Sequence, residues 1–94
     1  MTKAEARAII DSLGLPAAQD KAARRTITRA TSSEDLNVVP QPSGAVLITR
    51  TRPGRDGKQV FEDTIQPDGG KQVVQKAYDS AGQLVHHDPK GGTP

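Results

Sequence analysis

Ninety-four residues leave room for one domain, and a 33% apolar share with Phe61 and Tyr78 as the only aromatics leaves it a thin core. The absence of cysteine excludes a disulfide staple and a thiolate metal site. No apolar run approaches the ~18 residues of a membrane helix and no signal-peptide core is present, so a soluble domain is expected. Any address for secretion would lie on a parent chain or a dedicated machine. A net charge of +2 by itself names no partner, but the basic residues are clustered. Lys21, Arg24, Arg25 and Arg29 stand against Asp20, and Arg50, Arg52, Arg55 and Lys58 against Asp56.

The chain opens on Thr2-Lys3-Ala4-Glu5, the spacing of a capping box, followed by Ala6, Ile9, Ile10 and Leu13 on one helical face. A helix over about 3–13, stopped by Gly14, is predicted. Pro16 suits the first turn of a second helix running to about Arg29. Its apolar side is mostly alanine, and Lys21, Arg25 and Arg29 recur at i, i+4 and i+8 as a basic stripe. A DNA-reading helix-turn-helix is disfavoured by the proline at the junction, the lack of a third helix and the β-rich remainder.

Residues 31–44, rich in Ser, Asp, Asn and Pro, read as a connector in which Leu36–Val39 is a short edge strand. From Ala45 the pattern is β. Strands are predicted over Ala45–Arg52 and Gln59–Ile65, separated by Pro53–Gly57, and the next turn is Pro67-Asp68-Gly69-Gly70. Lys71–Tyr78 and Gln83–His87 then flank Asp79-Ser80-Ala81-Gly82, a hairpin closed by glycine. The reading is an α+β domain: a helical part over 2–30, the connector, and a four-stranded antiparallel meander over 45–88 covered on one face by the helices. The tail 91–94 is expected to be disordered.

The chemistry on offer is limited. There is no glycine-rich phosphate loop before a helix, and no cofactor site is predicted. Beyond His86, His87 and Asp88 there is no metal constellation, and adjacent strand residues point to opposite faces, so the two histidines cannot chelate one ion side by side. One of them, left open as to which, is expected on the solvated face, with Tyr78 and the arginines of the first meander strand nearby. Histidine, arginine and lysine on an open sheet suffice for metal-independent RNA cleavage. In that reading His86 or His87 is the acid or base, Arg52 stabilises the charged transition state, and Arg50, Arg55 and Lys58 hold phosphate. Lys21, Arg25, Arg29 and Tyr78 extend the RNA-binding surface.

Residues 76–90, KAYDSAGQLVHHDPK, resemble the Tyr-Asp unit of RHS/YD proteins through Tyr78, Asp79, Gly82, Leu84, Asp88 and Pro89. One copy is present, so the shells built from arrays of such repeats are not implied. The order of helices followed by a meander, closed by a YD-type strand pair, resembles the C-terminal toxin domains of RHS-associated and contact-dependent inhibition systems. Within these it is similar to the ribonuclease toxins grouped with barnase, the colicins and RelE. The resemblance implies a ribonuclease acting on tRNA or rRNA in a target cell, released from a larger secreted toxin and neutralised by an acidic immunity protein. Two other readings stand beside it: a non-enzymatic module binding protein through its sheet face or edge, and a nucleic-acid binder using the stripe of the second helix.

Overall fold

The computed structural model describes residues 1–89, so the expected disordered tail lies outside the described residues. Helix α1 spans Lys3–Leu13 and α2 spans Ala17–Arg29. At the start of α1 the capping box is closed: the Glu5 N–H donates to Thr2 Oγ1 at 3.0 Å, and the Thr2 N–H donates to Glu5 Oε1 at 2.8 Å. The Thr2 N–H, and after it the Thr2 hydroxyl, hold the Glu5 carboxyl below its ordinary range. Gly14 ends α1 in the left-handed region, at φ +59°. Pro16 stands just ahead of α2 as its N-cap.

The strands are β1 Asp35–Pro40, β2 Val46–Gly54, β3 Gly57–Ile65, β4 Lys71–Asp79 and β5 Leu84–Pro89. They form one antiparallel sheet in chain order. The expected four-stranded meander is therefore corrected to five strands. Proline and polar residues make the connector look like loop, yet Asp35–Pro40 pairs with β2 along its whole length, from Asp35 opposite Thr51 to Pro40 opposite Val46. As an edge strand, β1 tolerates its terminal proline.

Strand parity divides the sheet into two unlike faces. Leu36, Val38, Val46, Ile48, Asp63 and Ile65 point toward the helices and are buried with Ala6, Ile10, Ala23 and Ile27. Gln19 of α2 ties helix to sheet by donating from Nε2 to the Gly44 carbonyl at 2.8 Å and the Ile65 carbonyl at 3.0 Å. The helices rest on β1, β2 and β3. Beyond them Lys71 reaches α2, at Thr26, and none of residues 71–88 is buried.

The β4–β5 hairpin is held by its own turn. Asp79 Oδ1 accepts from the Ala81 and Gln83 N–H groups, both at 2.9 Å, and Gly82 takes φ +83°. Register then slips by one residue, Ala77 pairing with His86 but Tyr78 with Leu84, so Val85 bulges from the edge.

Stability should follow this asymmetry. Ile48→Ala is expected to cost about 2–5 kcal/mol, a large part of a small domain's stability. Val85→Ala on the uncovered hairpin should change it by under about 0.5 kcal/mol. Urea titration of both variants with an unchanged m-value checks the contrast.

Candidate functional site

The strand arginines lie on the helix side of the sheet. Arg50 grips the fully buried Asp63 with two hydrogen bonds, Nε to Oδ2 at 2.7 Å and Nη2 to Oδ1 at 3.2 Å. Its Nη1 stands 3.5 Å from Glu34 Oε2. Arg52 donates to Gln59 Oε1 from Nε at 3.0 Å and from Nη2 at 2.8 Å. Both guanidinium groups stack on Phe61, at 4.7 and 5.2 Å from the ring centroid. Arg50 is thus engaged in neutralising a buried carboxylate, and Arg52 is fixed beside it.

Register places His86 on this same side, in the cross-strand row Arg52, Gln59, Ala77, His86. Three strand spacings separate the ends of that row, about 14 Å of backbone, too far for both residues to act on one phosphate. His86 has Asp88 on its own strand as a neighbour, with Nε2 4.0 Å from Oδ2.

His87 points the other way. On the face turned from the helices it stands directly opposite Lys76, and Lys76 Nζ in turn bonds Glu62 Oε1 at 3.0 Å on β3. Tyr78 shares this face, with Lys58 Nζ 5.4 Å from its ring centroid. The bulge at Val85 turns Leu84 to the same side, against Tyr78. A shallow concavity of about 280 Å³ at the tip of the sheet is lined by Arg55, Lys58 and Tyr78 together with Asp56 and with Gln59 and Ala77 of the helix side, so it wraps the end of the hairpin rather than one face.

The carboxylate, ammonium and imidazole of Glu62, Lys76 and His87 form a diagonal across three adjacent strands. Neighbouring side chains in such a sheet have Cβ atoms about 5 Å apart, or about 7–8 Å on the diagonal. Glu62 and His87 thus stand on either side of Lys76 on one face, their strands two spacings, about 10 Å, apart. The hydrogen bond from Lys76 to Glu62, with their charge attraction, raises the lysine pKa above its ordinary value.

Of the site residues predicted from sequence, His87, Tyr78, Lys58 and Arg55 are brought to this face or its rim. Arg50, Arg52 and His86 lie on the opposite side. Lys21, Arg25 and Arg29 lie on the outer surface of α2. Sequence reasoning missed Glu62 and Lys76. The signal for Glu62 was its parity with Lys58 along β3; Lys76 needed the same count carried back from Tyr78. Among the described residues, no group of three or more His, Asp or Glu side chains is placed to hold a metal ion, and no helix is long and apolar enough to cross a membrane.

No family model, curated protein or solved structure matches the chain. The reading of the site consequently rests on its own geometry.

Two stability predictions separate the faces. Arg50→Met strands the Asp63 carboxylate in the core and should cost about 3–5 kcal/mol. Glu62→Gln opens a half-exposed pair and should cost under about 1 kcal/mol. Because the Lys76 pKa is raised on folding, the pair's contribution is present below the ordinary lysine pKa and is lost as pH climbs through the folded-state value. That alkaline loss should be absent from Glu62→Gln, as measured by denaturation at neutral and alkaline pH.

Proposed function

We propose that this domain is a metal-independent ribonuclease whose chemistry takes place on the sheet face turned away from the helices. The observation that carries the reading is the Glu62–Lys76–His87 diagonal on a face that no described element covers. RNA supplies its own nucleophile, so the protein needs a base, an acid and a cation around one phosphate. The Glu62 carboxylate takes the proton of a ribose 2′-OH, whose oxygen attacks the adjacent phosphorus. The bond from phosphorus to the 5′ oxygen breaks, and protonated His87 donates its proton to that leaving oxygen. The products are a 2′,3′-cyclic phosphate and a free 5′-OH.

Lys76, held beside Glu62 before substrate arrives, offers its ammonium to the extra charge on the phosphoryl oxygens. Lys58 and Arg55 hold a neighbouring phosphate. The Tyr78 ring gives an unstacked base a platform, which favours single-stranded over duplex RNA. Acid–base pairs of this kind contribute about 10²–10⁴-fold each.

One observation favours a second reading. Leu84 and Val85 are 51% and 63% exposed on the edge strand β5, a pattern suited to strand addition by a protein partner. A non-enzymatic module would use that edge and leave RNA intact.

Incubation with tRNA and rRNA in EDTA tests the proposal. Cleavage leaving 2′,3′-cyclic ends is expected, falling about 10²–10⁴-fold in His87→Ala and in Glu62→Gln, with His86→Ala close to wild type. Equal activity of folded His87→Ala and the parent would remove His87 from the chemistry. Intact RNA with the parent protein would leave the binding module in its place.

A further inference from the structure

We propose that the outer face of α2 is a docking surface for the sugar-phosphate backbone of RNA, separate from the face where the reaction is placed. The choice of RNA rests on the ribonuclease reading; the existence of a free cationic track does not.

The stripe on α2 is set apart by how the cations are paired. Arg24 is tied to Asp20 and Asp11, which hold its guanidinium charged well above the ordinary arginine pKa. Arg50, Arg52 and Lys76 are occupied as described, and Arg7 donates to Thr28. Lys21, Arg25 and Arg29 make no hydrogen bond or ion pair among the described residues, and all three are exposed. Four-residue steps along a helix separate them by about 6 Å each, an evenly spaced row.

That row borders a recess. Ala22, Arg25, Arg29, Gly69 and Lys71 enclose about 210 Å³ between α2 and the start of β4. The floor is close-fitting: a Cβ on Gly69 would lie 3.1 Å from the Ala18 carbonyl oxygen. Lys71 Nζ stands 3.5 Å from Thr26 Oγ1 and adds a fourth cation at the mouth. Asp68, whose Oδ1 accepts from the Gly70 N–H at 2.8 Å, lines the adjoining recess with Lys21 and Arg25 and sets one carboxylate against these cations.

Chemistry favours a phosphodiester backbone over an acidic protein. Protein interfaces draw their affinity from aromatic or large aliphatic anchors in apolar pockets, whereas this recess offers alanine, glycine and free cations. Unoccupied guanidinium forks match phosphate oxygens two at a time. The track lies on the helix side of the sheet, so a folded RNA gripped there would meet the reactive face with a different segment.

The test uses the full chain and a fluorescein-labelled hairpin RNA that is 2′-O-methylated throughout, which cannot be cleaved by attack of a 2′-OH. Binding is followed by anisotropy across a salt series. In the triple variant Lys21→Gln, Arg25→Gln, Arg29→Gln, affinity should fall at least tenfold at low salt. The slope of log K against log salt should shrink by about 2–3, three cations at about 0.7 each on single-stranded and about 0.9 on duplex segments. Glutamine keeps helix propensity, and Arg25→Gln alone, with a slope smaller by about 0.7–0.9, serves if the triple variant melts early. Cleavage of a dinucleoside monophosphate, too short to reach α2, should be unchanged in the triple variant. Stripe-dependent binding of the hairpin by a parent protein that leaves unmodified tRNA, rRNA and the dinucleoside monophosphate intact would sink the ribonuclease reading and leave this inference standing. Wild-type affinity and slope in the folded variants would overturn it. So would poly-glutamate of matched charge displacing the labelled hairpin as well as unlabelled hairpin does.

Discussion

The buried pair of Arg50 and Asp63 marks the line at which this protein runs out of apolar material. On one side of it Ile27, Ile48 and Ile65 close a core with α1 and α2, and Asp63 itself lies in that core with no exposed surface. On the other side the sheet continues with Gln59, Gln75 and Ala77, which no helix could profitably cover. A carboxylate so placed requires a cation with both forks aligned, and Arg50 meets that demand with Phe61 stacked against it. The domain therefore folds around one half of its sheet and presents the other half to solvent on both faces. Its small apolar supply is enough for that division and not for more.

The bare half is shaped by other means. Asp79 organises the β4–β5 turn through two backbone N–H groups, Gly82 adopts a conformation that side chains resist, and Tyr78 meets Leu84 across the bulge. These are the residues that make the hairpin resemble a YD unit, and each has a mechanical role in the turn. The likeness accordingly describes a way of building a hairpin; the chemistry proposed for it comes from Lys76 and His87, which flank the motif. The bulge matters to both. It lets Leu84 and His87, three positions apart, share one face, which unbroken alternation would forbid.

Much of the fold was legible in the sequence because local signals agreed with one another. The capping box and Gly14 bounded α1 at Lys3 and Leu13, and Pro16 marked the entry to α2. The hairpin turns announced themselves through glycine and aspartate. The fifth strand was harder: Leu36–Val39 read as a short edge strand, but nothing local in a Pro-containing connector shows that it joins the sheet for six residues. The site was legible in part. Parity alone puts Arg50 and Arg52 on the side of Val46 and Ile48, the helix side, and that count would have removed them from a solvated face. The union of Glu62 with His87 depends on register across β3, β4 and β5, including a slip at Val85, and register is a property of pairing partners and turns that no single strand encodes.

The central claim is that the two faces differ in function, with His87 on the reactive one and His86 off it. A chain with two histidines and one tyrosine allows a direct test by proton NMR of the aromatic side chains. Titrating in a 2′-deoxy dinucleotide, which binds without being cleaved, should shift the His87 imidazole and Tyr78 ring resonances together while His86 stays in place. Movement of His86 with His87 and Tyr78 unaffected would contradict the account.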